Sequence, residues 1–523
     1  MLKYLSEHKL SSAAVILSAV WFIWYFALGA AIFGNMWHTS PALPVCGGLF
    51  ALAPLAAALL NAFIFKKRAA DVALICLSPA LMFAHFVFFA FVLSKLTYFF
   101  IAGTPYFITA GLAALVCFFV FAFPKLSKTG RRVSASVLAA VLAVICLTSL
   151  FGAVPFYISG GATVFAVDNE YQIAFSTSHR SVGAVEVNGV TYYDQTNGQN
   201  NVSKLHKISV PAAELDTAKS YSVRTQGVAL NTAYLPTKGA VITKTYSFRP
   251  ADDSDGVQIY NISDTHECIA GPAKAASFFG DKLDLLILNG DIINDVSSEY
   301  QISIIYRLAH RITGGTRPVL FTRGNHECNG SLAADLGKYV GCAERGFYYT
   351  YKIGSRLSLL VLDTNNDMSD DSALIRPIAN FDTVRKEQSE WLKTLGDRGA
   401  ETEHSFVVAH MAYPLSGYVS EKCHWHDWAR ELVELTEDKA ELAVCGHSHK
   451  TVLDAVGTDD NAIAGFPVLR GAIRSNKYAD KEGVSPFEFT GTAIEIMDGN
   501  ISIRFTNAKG KIMDGFILGA END

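Results

Sequence analysis

Four stretches of this chain carry no Asp, Glu, Lys or Arg: 10–65, 72–94, 96–124 and 133–167. Such runs exceed the roughly 20 apolar residues that cross a bilayer core. A buried helix of a soluble bundle needs a polar face, which these runs lack. Pro41 and Pro44 place a turn inside the first run. Five membrane spans are therefore predicted, at about 12–36, 43–65, 72–94, 97–123 and 133–157. A cleaved signal peptide would fit Lys3 and Lys9, but the apolar stretch 13–33 is longer than the roughly 7–15 residues of a signal core.

Basic residues in short loops favour the cytoplasmic side. Lys3 and Lys9 precede the first span, Lys66, Lys67 and Arg68 follow the second, and Lys125, Lys128, Arg131 and Arg132 follow the fourth, while the other two loops together hold only Lys95. The expectation is an integral membrane protein with a cytoplasmic N-terminus and a catalytic part that is extracytoplasmic, with the lipid bilayer as a partner. His85, inside the third span, is a polar residue that either serves function or bonds a neighbouring helix. A net charge of −5 argues against a constitutive nucleic-acid partner. Cys268, Cys328, Cys342, Cys423 and Cys445 lie beyond the spans, an odd count whose pairing stays open.

Past Gly160 the texture changes to short alternating runs broken by turn residues, with Asn188-Gly189 as a hairpin turn. This pattern predicts a small antiparallel β-sandwich at about 162–249, read as a spacer. From Val257 the segments GVQIYNIS, LDLLILN, PVLFT, HSFVVA and ELAVC read as buried strands, and 297–312, 382–396 and 426–437 as helices. That alternation predicts an α/β layered domain, closed by a hairpin turning at Asp498-Gly499. The expected division is 1–158 membrane domain, 159–250 sandwich and 251–523 catalytic domain.

Each of the five strands is followed by side chains able to bind metal: Asp264 and His266, Asp291, Asn325 and His326, His410, and His447 and His449. Carboxyl ends of strands are where open α/β sheets place their sites. A lone Asp or His at a strand end is usually a cap or a surface residue, whereas five strand ends in order point to one crevice. A carboxylate can bridge two cations, and neutral imidazoles with an amide oxygen fill the outer positions without excess negative charge. Two such ions lower the pKa of a bound water and stabilise both the attacking and the leaving oxygen at phosphorus.

NISDTHE, LNGDIIND, TRGNHE, VVAHMAYP and VCGHSHK resemble the ordered signature blocks of the calcineurin-like metallophosphoesterases, over roughly 256–508. The resemblance implies two stacked β-sheets between helices and hydrolysis of a phosphomonoester or phosphodiester by a metal-bound hydroxide. It implies Asp264, His266 and His449 as ligands of one metal, Asn325, His410 and His447 as ligands of the other, and Asp291 as the bridge. His326 matches the family's non-ligand histidine, which could steady the phosphoryl charge, protonate the leaving group, or only hydrogen-bond a ligand. The preceding sandwich is similar to the fibronectin type III-like domain of purple acid phosphatases. Those enzymes carry a tyrosine ligand where Asn294 stands, so their iron-tyrosinate chromophore is not expected, and the two ions remain Mn, Zn or Fe.

Arg323 could reach a substrate phosphate or form a structural ion pair. His424 and His426, in EKCHWHDW, fall where a lid over the site would lie and are candidates for substrate contact. Two other readings compete with the hydrolase: a non-catalytic membrane receptor on a phosphoesterase scaffold, and a lipid-handling bundle gated by the outer domain. A decayed site would be expected to have lost a ligand, and none is missing. The spans also lack paired intramembrane charges.

Overall fold

A computed structural model describes residues 156–230, 237–396, 402–472 and 489–519, with short pieces at 13–16, 18–19 and 55–61 and the single residue 11. Residues 154–523 form one compact unit, and 1–153 cluster separately. The strands before the signature blocks are β1 (Ile158–Val167), β2 (Glu170–Val187), β3 (Val190–Tyr193), the two-residue pair β4 (Gln195–Thr196) and β5 (Gln199–Asn200), β6 (Ser203–Pro211), β7 (Ser220–Leu230) and β8 (Thr237–Ser247). Three follow that carry the first blocks: β9 (Val257–Ile262), β10 (Leu285–Asn289) and β11 (Pro318–Thr322). The second sheet is built from β12 (Tyr349–Ile353), β13 (Leu357–Leu362), β14 (His404–Ala409), β15 (Leu442–Cys445), β16 (Val452–Asp454) and β17 (Val468–Arg470). The last three, β18 (Thr490–Met497), β19 (Asn500–Asn507) and β20 (Ile512–Leu518), return to the first sheet.

Successive strand residues face opposite sides of a sheet. Leu285 and Ile287 of β10 therefore enter one core with Leu359, Val361, Phe406 and Val408 of the second sheet. Leu286 and Leu288 enter another core with Ile302, Ile305 and Leu308. Those three residues belong to helix α1 (Glu299–Thr313), which starts where the Ser298 hydroxyl accepts the Gln301 N–H and stops at left-handed Gly314. On the far side, Leu360, Leu362 and Val407 pack beneath α2 (Phe381–Thr394) and α3 (His426–Thr436). Helix, sheet, sheet and helix are thus stacked, and the central strands of both sheets are covered on both faces. This double burial is why the central strands read as continuous apolar runs.

Two fold expectations are corrected. The strands of 158–247 do not close a sandwich of their own, because β1 pairs in parallel with β11, Val164 beside Pro318 and Phe165 beside Val319. The first sheet consequently runs β20-β19-β18-β9-β10-β11-β1-β2-β7-β8, with β3 and β6 also on β2. Local alternation finds strands but not their distant neighbours. The second correction concerns the five-helix membrane bundle, and with it the integral-membrane, extracytoplasmic placement: among the described residues no helix is long and apolar enough to cross a membrane. The predicted spans themselves, and His85, fall almost entirely outside the described residues. An uncharged run records a wish to be buried, not what does the burying. The end of the fourth run shows this, since 158–167 is strand β1 in the middle of the sheet.

Gly161 shows how tightly β1 is set against α1. Its φ is +87°, and a Cβ there would run into the His310 ring, which is fixed by donating from Nδ1 to the Ala162 carbonyl at 2.7 Å. Gly161→Ala is expected to destabilise the protein by about 2–4 kcal/mol through combined backbone strain and overpacking. Urea unfolding measures it, and an unchanged midpoint would mean that this contact yields easily.

Candidate metal centre

The loops that leave β9, β10, β11, β14 and β15 bring the expected ligands together. Ligand atoms of Asp264, His266 and His449 lie within 4.8 Å of one another, as do those of Asp291, His410 and His447, and those of His266, Asp291 and His326. Asn325 joins the second group through its side-chain oxygen, 3.0 Å from His447 Nδ1. Five of the seven expected ligands, Asp264, His266, Asp291, His447 and His449, have φ between +45° and +64°. Non-glycine residues take that conformation seldom, and such strain collects at functional sites. The loops are also pressed close. A Cβ on Gly290 would strike the His410 ring, and one on Gly324 would strike Asp291, so the GD and GNHE glycines are needed for approach.

Hydrogen bonds orient the imidazoles. His410 donates from Nδ1 to the Asn289 carbonyl at 2.7 Å, which turns Nε2 toward Asp291 Oδ1, 3.3 Å away. His326 donates from Nδ1 to the Asn294 carbonyl at 2.8 Å, and its Nε2 lies 3.9 Å from Asp291 Oδ2. The Asn294 side chain is not used there; its backbone is. The Nε2 atoms of His266 and His449 approach to 3.4 Å with the rings stacked. Asp264 accepts the Ser263 hydroxyl and, at 3.0 Å, the His447 N–H, both on Oδ2.

These donors fit a pair of metal ions. Asp264 Oδ1 and His410 Nε2 are buried and have no hydrogen-bond partner, as expected of atoms shaped for a cation. The donor set is nitrogen and oxygen, with no thiolate in any of the three groups. Burial pushes the Asp264 carboxyl up. Burial acts the same way on Asp291, but the adjacent His410 outweighs it and holds that carboxyl well below the usual range. A metal-binding histidine that donates its other nitrogen to a carbonyl is the common arrangement, because the bond fixes both tautomer and ring plane.

Glu327 went unassigned in the sequence, although it stands in the GNHE block. It is completely buried and accepts four backbone N–H groups: Asp291 at 2.8 Å and Gly324 at 3.0 Å on Oε2, Ile292 at 2.8 Å and Ile293 at 3.1 Å on Oε1. One side chain thereby ties the turn carrying Asp291 to the loop carrying Asn325 and His326. The only signal available was a lone acid inside a histidine motif.

The three substrate-contact candidates are placed differently. Arg323 binds both carboxylate oxygens of Asp363 and lies over the Phe347 ring at 4.7 Å and the Phe381 ring at 5.7 Å. It serves the structural ion pair rather than the crevice. His426 pairs with Asp427 at 2.9 Å, outside the three ligand groups. His424 stands beside Trp425, with ring centres 6.2 Å apart, and Trp425 contacts Tyr418, whose ring is 6.5 Å from that of His447. Cys268, Cys328, Cys342, Cys423 and Cys445 are all free thiols. Elsewhere, Ser181, His206 and Asp194 form a hydrogen-bonded series with the residue types of a hydrolytic triad. Ser181 and His206 are fully buried, so that hydroxyl is closed to substrate and the series is structural.

The fold and the clustered ligands define a metal-dependent phosphoester hydrolase. Residues 257–451 match the family model described as calcineurin-like phosphoesterase, and the chain carries a domain of that family, which implies a dinuclear metal centre. No curated protein matches the chain. Among solved structures it is similar to a purple acid phosphatase from yellow lupin (Lupinus luteus) seeds, at 13% identity over 68% of this chain and 74% of that one, with a TM-score of 0.45. It is also similar to PhoD, at 12% identity over 69% and 88%, with a TM-score of 0.40. A third is the phosphopantetheinyl hydrolase of Mycobacterium tuberculosis, at 12% identity over 47% and 97%, with a TM-score of 0.31.

Proposed function

We propose that the chain hydrolyses a phosphate monoester or diester at a site where Asp264, His266 and His449 hold one ion, Asn325, His410 and His447 hold a second, and Asp291 is shared. The observation that carries this reading is the presence of two buried ligand atoms without a hydrogen bond, Asp264 Oδ1 and His410 Nε2, each facing another expected ligand among side chains drawn from five strand ends. Mn, Zn and Fe all suit imidazole with carboxylate and amide oxygen. When bound, the ions would offset phosphoryl charge and make water a better nucleophile near neutral pH.

The remaining work falls to the chain. The Asn294 carbonyl holds the His326 ring so that Nε2 is the nitrogen left toward Asp291. Water oxygen bonds to phosphorus as the ester P–O bond breaks, the departing alkoxide takes the proton from His326 Nε2, and the proton released by the water restores it to that nitrogen. His326→Ala is expected to keep both metals and to lose about 10²- to 10⁴-fold in rate on an alkyl ester, with a much smaller loss on a nitrophenyl ester whose leaving group needs no proton. Equal losses on both esters would shift His326 to steadying phosphoryl charge, and loss of metal would make it a ligand.

The reading as a whole is tested on the purified full chain. It is stripped with chelator, reloaded with Mn, Zn or Fe, and assayed on nitrophenyl phosphate and bis(nitrophenyl) phosphate. Metal uptake near two equivalents without hydrolysis of either ester would overturn it.

A further inference from the structure

One charged side chain beside the ligands is used by nothing described so far. Asp367 follows Asn366 in the loop after β13 and is exposed. Asn366 donates to the Asn329 side chain at 3.2 Å, and Asn329 donates to the Asn325 carbonyl at 2.8 Å, so the loop is fastened to the ligand loop. On its other side the Met368 backbone approaches the His424 ring. Asp367 thus stands between the Asn325 loop and His424, and its charge is felt at His447, Tyr418 and His424. Its own carboxylate has no hydrogen bond or ion pair among the described residues.

Among the described residues no ion pair to it is formed. Arg385, whose charge reaches His424, is committed to Asp382 at 2.7 Å, to the Asn366 carbonyl at 2.8 Å, and to the faces of Trp425 and Trp428. Burial, and then the charge of Arg385, hold His424 below the ordinary histidine range, so at neutral pH it is uncharged. A free carboxylate next to a site for anionic phosphate is costly for substrate unless the substrate carries a compensating charge. The same wall supplies the half-buried Tyr418 ring, and an aromatic face with a carboxylate is the usual receptor for an ammonium group.

Resting on the phosphoesterase reading above, we infer that Asp367 and Tyr418 select phosphate esters whose organic group carries a fixed positive charge, such as an aminoalcohol ester. Specificity of this kind belongs to the rim, and the metal ligands are indifferent to it.

The test compares p-nitrophenyl phosphorylcholine with its neutral isostere, in which carbon replaces the quaternary nitrogen, on the metal-loaded full chain. The wild type is expected to prefer the cationic ester by about tenfold in kcat/KM. The ratio should shrink as salt is raised, and Asp367→Asn should bring it close to one. Because the ratio is internal to each preparation, partial loss of folded protein does not alter it. A wild type that hydrolyses both esters equally overturns the inference and leaves the phosphoesterase reading standing. A metal-loaded wild type that hydrolyses neither ester, nor nitrophenyl phosphate, overturns both. Loss of bound metal in Asp367→Asn would also overturn the inference, because the carboxylate would then be serving an ion.

Discussion

Asp291→Asn is expected to abolish measurable turnover and to release at least one metal ion. Asp291 shares one ligand group with His410 and His447 and another with His266 and His326, which supports it as the proposed bridge. An amide offers one weak oxygen where the carboxylate offers two charged ones, and it removes a negative charge from between two cations. The carboxylate also accepts the His326 N–H at 3.0 Å, so the substitution disturbs the loop that carries the neighbouring ligand. Metal analysis and a turnover assay on one purified preparation measure the effect. Wild-type metal content with wild-type rate would remove Asp291 from its bridging role.

Glu327→Ala is expected to be nearly as damaging without touching a ligand. The four N–H groups it satisfies are buried, and the substitution leaves them unpaired at a cost of about 3–5 kcal/mol, the scale for breaking a buried charged network. The turns that carry Asp291 and Asn325 would then be free to separate. Metal affinity should fall by about 10- to 100-fold, the usual penalty for losing a group that supports ligands. Glu327→Gln keeps one acceptor oxygen and should fall between the two. Chemical unfolding and metal titration together test this, and an alanine variant that melts and binds like the wild type would refute it.

The site was legible because its residues are local. A buried strand reads as an apolar run, and the polar cluster after it is contiguous in sequence, so Asp264, Asp291, Asn325, His410 and His447 announced themselves. The strands and the helices at 299–313, 381–394 and 426–436 were readable for the same reason, since periodicity spans only a few residues. What failed to show was pairing at a distance. Nothing around Val164 points to Pro318, and nothing around Arg323 points to Asp363. Asp367 was silent as well, because its position depends on Asn366 reaching Asn329. The apolar N-terminal runs lie almost entirely outside the described residues, and hydropathy alone names burial and not the surroundings.

The parallel seam between β1 and β11 also sets the order in which a growing chain can fold. When β1 leaves the ribosome, β11 does not yet exist, and β9 must wait longer still for its other neighbour, because Asn261 pairs with Thr492. Contacts so remote in sequence carry a large loop-closure cost before they bring any reward, and proteins built on them are slow folders. Until β18 arrives, the nascent sheet presents β9 as an open edge of wholly buried-type residues, the kind of surface that recruits other chains. Expression from residue 251 onward would make that hazard permanent at the opposite edge, since β11 would never meet β1. Such a fragment should aggregate even though every metal ligand is present in it.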